Sequence, residues 1–167
     1  MELGYRVLQG VDGHHAGREL LAELYSRTTG ESLPPILTTP RGKPYFVDSP
    51  WHFSISHTKN HVFCALSLEP IGIDAEESDR ILDPRLAERY LSPDEQMRLK
   101  AAPDRNAAML RLWVLKEAYA KLTGQGIGNY LKNTNFDPND SRIQEIDGCF
   151  VAILEGETPC FLTLTPI

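Results

Sequence analysis

Two acids close a short apolar run, Ile71-Gly72-Ile73-Asp74-Ala75-Glu76. If the run is a strand, Ile71, Ile73 and Ala75 share one face, and Asp74 and Glu76 share the other about 7 Å apart. Two carboxylates projecting together repel unless a positive charge lies between them. A divalent cation meets that need, and hard oxygen donors suit magnesium or manganese better than zinc. A solvated acidic turn meets it equally well, since Glu77 and Asp79 follow at once. A second set lies on Trp113-Val114-Leu115-Lys116-Glu117-Ala118-Tyr119-Ala120-Lys121, where Trp113, Glu117 and Lys121 recur at the spacing of one helix face. Glu117 and Lys121 can be a surface ion pair worth roughly a few tenths of a kcal/mol. They can equally be a third metal ligand and a phosphate partner, because three carboxylates and a lysine can hold a metal pyrophosphate.

Positioning these groups takes particular elements. A strand is expected over Gly4 to Gln9, then a helix from about His14 to Thr29 with Gly30 as its stop. Arg41-Gly42-Lys43-Pro44 reads as a turn into Tyr45-Phe46-Val47. Trp51 to Ser56 alternates apolar and polar, so Ser54 is expected to face solvent. With Val62 to Leu68 and the acidic run it predicts a three-stranded meander. Asp83-Pro84, the capping box Ser92-Pro93-Asp94-Glu95 and Asp104 each open a helix, and Gly124 closes the last. The tail reads as strands: Arg142 to Ile146, an Asp147-Gly148 turn, Phe150 to Leu154, and Cys160 to Thr165.

Composition narrows the classes. A chain of 167 residues, 41% apolar and 24% charged, is one ordinary globular domain or two small halves sharing a core. No run reaches the length of a membrane helix and the N-terminus lacks a secretory pattern, so a cytoplasmic protein without a membrane partner is expected. A net charge of −6 disfavours general nucleic-acid binding. Cys64, Cys149 and Cys160 are an odd number without metal spacing, and Cys64 and Cys160 read as small core residues.

Taken together, Gly42-Lys43-Pro44, Phe53-Ser54-Ile55-Ser56-His57, the acidic run and the Trp113 to Lys121 stretch resemble the 4′-phosphopantetheinyl transferases, in the branch that serves surfactin synthetase. The resemblance extends from about Arg18 to Gly128. It implies an α+β fold of two abutting helix-plus-antiparallel-sheet halves related by a pseudo-two-fold, roughly 1–76 and 77–167, within a single domain. It also implies an enzyme of the holo-[acyl-carrier-protein] synthase type, dependent on Mg2+. Coenzyme A would donate its phosphopantetheine arm to a serine of an acyl or peptidyl carrier protein, releasing adenosine 3′,5′-bisphosphate. By similarity, Asp74, Glu76 and Glu117 would be the metal carboxylates, with Glu117 also a possible base. Lys121 would neutralise phosphate charge, and Arg18, Lys43, Ser56 and His57 would hold coenzyme A.

Members of this branch carry more chain ahead of the Arg18 position, including lysines for the 3′-phosphate. Here Arg6 is the sole Lys or Arg ahead of it, so coenzyme A is expected to be held less tightly or by other groups. A pseudo-symmetric monomer is the default, with a dimer as the alternative. Trp113 reads as core packing, His14, His15, His52 and His61 as ordinary histidines, and Arg80, Arg85 and Arg89 as a basic surface that could meet an acidic carrier. Two rivals are kept: a non-catalytic relative that binds coenzyme A or a carrier, and a magnesium-dependent phosphohydrolase.

Overall fold

The computed structural model describes residues 1–156, so the strand expected over Cys160 to Thr165 lies outside the described residues. The chain is a mixture of helices and antiparallel sheet. Its order is β1 (Glu2–Val7), α1 (Gly13–Thr29), β2 (Ile36–Thr38), β3 (Pro44–Phe46), β4 (His52–His57), β5 (His61–Ser67) and β6 (Ile71–Glu77). There follow α2 (Arg85–Tyr90), α3 (Pro93–Ala101), α4 (Arg105–Thr123), a 3-10 turn (Asn129–Asn133), β7 (Ile143–Ile146) and β8 (Cys149–Glu155). The ends of α1, α3 and α4 follow the sequence signals, whereas α2 starts one residue later than expected, with Pro84 at its N-cap and no side-chain cap. Asp12 and Asp104 cap α1 and α4, Ser92 and Glu95 form a capping box on α3, and Gly30 and Gly124 close α1 and α4 in the left-handed conformation.

The strands form three antiparallel sheets, ordered β1-β5-β4, β2-β3 and β6-β8-β7. This corrects the expected meander. Both edges of β5 are taken, by β1 and by β4, so no edge is left for β6. The chain turns at Glu69-Pro70 and β6 pairs with β8 instead, from Ile71 opposite Glu155 to Glu77 opposite Cys149. Residue 76, near which the boundary of the halves was expected, therefore lies inside β6, a strand of the second sheet.

Three apolar clusters hold these pieces. Ala16, Leu20, Leu21 and Leu24 of α1 pack on Phe53, Val62, Cys64 and Leu66. Leu112, Leu115 and Ala118 of α4 pack with Ala152 and Leu154 of β8. Phe63 and Ala65 of β5 meet Ile71, Ile73, Ala75, Val151 and Ile153, joining the two larger sheets. Alternation along β6 thus sends its isoleucines into the joint and Gly72, Asp74 and Glu76 toward the other side.

Gly72 sets the distance between β6 and α4. A Cβ there would lie 2.0 Å from the Ala118 carbonyl oxygen and 2.5 Å from the Leu122 nitrogen, both backbone atoms. Strand and helix touch main chain to main chain at this point, which brings Asp74 beneath the face carrying Lys121. We expect Gly72→Ala to lower stability by about 3 kcal/mol, because no side chain can move aside to relieve the clash. Urea unfolding of the variant checks this.

Candidate active site

One cleft of about 840 Å³ is lined by all the residues that the sequence singled out for chemistry. Arg18 comes from α1, Lys43 from the turn before β3, and Ser56 and His57 from the end of β4. Asp74 and Glu76 come from β6, and Glu117 and Lys121 from α4. Cations thus enter mainly from the elements before residue 70 and carboxylates from those after it.

Asp74 lies at the centre and is 3% exposed. Its Oδ1 accepts from Lys121 Nζ at 2.7 Å and from Ser56 Oγ at 2.9 Å. Its Oδ2 is buried with no hydrogen-bond partner among the described residues. A buried charged oxygen without a partner is costly and rare in a folded protein. Glu76, also buried, is ion-paired with Arg80. Burial pushes the Glu76 carboxyl above its usual range, the Arg80 hydrogen bond opposes that, and the charge of Asp74 adds to the rise. Glu117 is raised to about 7, first by burial and then by the negative charge of Asp74, with Lys121 pulling the other way. The acids disturb one another as the sequence argument requires.

Two of the three expected metal ligands are therefore held by cations of the chain itself. Among the described residues no three His, Cys, Asp or Glu side chains are gathered closely enough to hold one ion. The donors nevertheless fit magnesium. All are hard oxygens, one of them is an orphan, and magnesium keeps several waters while taking one or two carboxylates plus substrate phosphates.

Of the serines of β4, Ser54 departs from the sequence expectation. Ser54 is buried rather than facing solvent. Its Oγ accepts from Ile73 N, and Ser56 Oγ accepts from Ala75 N, each at 3.1 Å. These amides lie on the edge of β6 that β8 leaves free, so the spaced serines satisfy an otherwise open strand edge. Ser56 Oγ also donates to Asp74 Oδ1, and so orients that carboxylate. Trp113 packs in the core beside Tyr90.

Lys43 Nζ donates to the Leu122 carbonyl oxygen at 2.6 Å, near the C-terminal end of α4, and burial lowers its pKa. It ties the first sheet's side of the cleft to the second. His57 meets the ring of His14 edge-on, with centroids 4.7 Å apart.

Sequence reasoning left His14 as an ordinary histidine, gave Arg41 no role beyond its turn and placed Arg80 on a basic surface; all three line the cleft. His14 stands one helical turn ahead of Arg18, a spacing that could have exposed it. Arg80 sits in an irregular turn, where no periodicity marks it.

The family model of the 4′-phosphopantetheinyl transferase superfamily matches residues 70–164. The chain belongs to this superfamily. It is 33% identical over 146 residues to the 4′-phosphopantetheinyl transferase psf-1 of Bacillus pumilus, covering 86% of this chain and 59% of that protein. It is 37% identical over 103 residues to the transferase gsp of Aneurinibacillus migulanus, covering 60% and 43%. With the transferase Sfp of Bacillus subtilis strain 168 it shares 31% over 124 residues, covering 72% and 53%. These relatives place the chain in the surfactin-synthetase-type branch of the superfamily. The chain spans about half the length of these curated relatives.

Proposed function

We propose that this member of the superfamily transfers the 4′-phosphopantetheine arm of coenzyme A to a serine of an apo acyl or peptidyl carrier protein, yielding the holo carrier. The observation that carries the proposal is the single cleft in which Arg18, Lys43 and His57 face Asp74, Glu76, Glu117 and Lys121. Such a distribution suits a polyanion whose pyrophosphate must be neutralised at one point. The carrier serine oxygen forms a bond to the phosphorus that bears pantetheine, and the bond to the adenosine-side phosphate breaks, releasing adenosine 3′,5′-bisphosphate.

Magnesium, when bound, neutralises the pyrophosphate and improves the leaving group. Asp74, Glu76 and Glu117 would hold it, with Asp74 Oδ2 the oxygen in greatest need of a cation. Ser56 and Lys121 orient Asp74. Arg18, Lys43 and His57 fix the nucleotide end of coenzyme A by charge. Glu117, whose carboxyl titrates near neutrality in the metal-free protein, can also accept the serine proton, as can a water in the cleft.

The described architecture supports one domain of two abutting halves. Each half lays a long helix on a three-stranded antiparallel sheet, α1 on β1-β5-β4 and α4 on β6-β8-β7, and we assign them as pseudo-two-fold mates with the boundary at Glu69-Pro70. A monomer is the proposed state, with a dimer as the alternative. No helix among the described residues is long and apolar enough to cross a membrane. Among the described residues Cys64 and Cys149 are free thiols, which suits the reducing cytoplasm.

The test is incubation with coenzyme A, magnesium and an apo carrier protein, followed by the intact mass of the carrier. A gain of one phosphopantetheine is expected. Unchanged mass with retained coenzyme A binding would indicate a non-catalytic relative, and release of inorganic phosphate a phosphohydrolase. In the same assay Lys121→Ala is expected to slow transfer by about 10²- to 10³-fold, the loss of one cation at the developing charge.

A further inference from the structure

The three arginines that follow β6 separate in the fold. Arg85 is spent on Asp83, and Arg89 lies over the Tyr90 ring at 5.3 Å. Arg80 alone lines the cleft, ion-paired with Glu76. Its backbone is held on both sides. The amide donates to the Glu77 carbonyl at 3.0 Å, and the carbonyl accepts from Asn106 Nδ2 in the first turn of α4, also at 3.0 Å. The anchored main chain aims a long side chain that remains 54% exposed at a carboxylate that is only 9% exposed. The guanidinium also feels the charges of Glu117 and Asp74.

Both cations at the acid cluster cannot respond alike to an incoming ion. Lys121 projects from a helix, one-third exposed, and is also 3.4 Å from the Ile55 carbonyl oxygen. Arg80 projects from a turn, is more exposed, and has no other recorded side-chain partner than Glu76 among the described residues. It is the group free to leave. A guanidinium beside a divalent ion is repelled by it, and its planar fork matches phosphate oxygens better than an ammonium does.

We propose that Arg80 is a positioning residue: it holds Glu76 toward the cleft before metal arrives, and is released to the coenzyme A pyrophosphate once a divalent cation takes that carboxylate. This inference rests on the transferase reading above. It gives Arg80 opposite effects on two ligands, since it competes with the metal and attracts the coenzyme.

Titration of Mn2+ into coenzyme A-free protein at low salt, followed by the electron paramagnetic resonance of free Mn2+, separates the two. R80Q is expected to bind Mn2+ about tenfold more tightly than the parent, and this gain should shrink as salt rises. R80K, which keeps the charge, is expected to bind Mn2+ as the parent does. In the transfer assay R80Q is expected to raise KM for coenzyme A about tenfold with a smaller change in kcat, and R80K to recover part of that loss. A purely structural role would move the melting temperature without producing these opposite signs. Equal or weaker Mn2+ binding by R80Q, or an unchanged KM for coenzyme A, overturns the role of Arg80 while leaving the transferase reading intact. Absence of Mn2+ binding by the parent overturns the metal reading and this inference with it.

Discussion

Asp74→Ala is expected to reduce phosphopantetheine transfer by roughly a thousandfold or more, and to weaken Mn2+ binding in parallel. The size of the effect follows from how much converges on one carboxylate. Its Oδ1 fixes both Lys121 and Ser56, and its Oδ2 has no hydrogen-bond partner among the described residues. On the proposed reading, removing the side chain deletes a metal donor and also releases the Lys121 ammonium that would face the phosphate. Asp74→Asn separates these effects from packing. It preserves the volume and one acceptor oxygen but places an amide where a cation is needed, so it should be nearly as inactive while remaining folded. Near-normal turnover in either variant, measured by carrier mass, would remove the basis for the metal assignment.

The second large effect concerns stability and lies away from the cleft. Lys116 and Glu95 form an ion pair of 2.6 Å in which both side chains are fully buried. Every polar atom of the pair is engaged. Lys116 Nζ also donates to the Leu131 carbonyl at 2.7 Å, to Thr134 Oγ1 at 2.7 Å and to the Thr134 carbonyl at 3.1 Å. Glu95 accepts from Ser92 N at 2.7 Å and from Phe136 N at 2.8 Å. The capping acid of α3 is thus the counter-ion of α4 and the acceptor for the chain beyond the 3-10 turn. Lys116→Met would leave a buried carboxylate with two amides and no cation, and we expect a loss of about 3–5 kcal/mol. Chemical denaturation should show this as a lower midpoint with an unchanged slope. Adding Glu95→Gln should cost less than the two single changes summed, because the second removes a charge that the first had stranded. Full additivity of the two would mean that they do not act as a pair.

This pair shows what a local reading overlooks. Ser92 and Glu95 were legible as a capping box because the signal lies within four consecutive residues. Lys116 was legible only as one more polar residue on a helix, since its partners lie 21 residues upstream and 15 to 18 downstream. The same division runs through the cleft. Alternation along residues 71–76 correctly assigned the isoleucines to one face and the acids to the other, and helical spacing correctly linked Glu117 to Lys121. The motifs, quoted together, also pointed to the superfamily that the comparison then established.

Caps, strand alternation, the main helices and the identity of the acids were determined by sequence alone, because each depends on residues a few positions apart whose geometry the backbone repeats. Tertiary structure decided which strand β6 pairs with, since this turns on β1 occupying an edge of β5. It decided that Ser54 and Ser56 close the free edge of β6, and that Asp74 and Glu76 are held by Lys121 and Arg80. Those outcomes depend on which segments compete for the same edge or charge, and that competition exists only once distant parts of the chain are brought into contact.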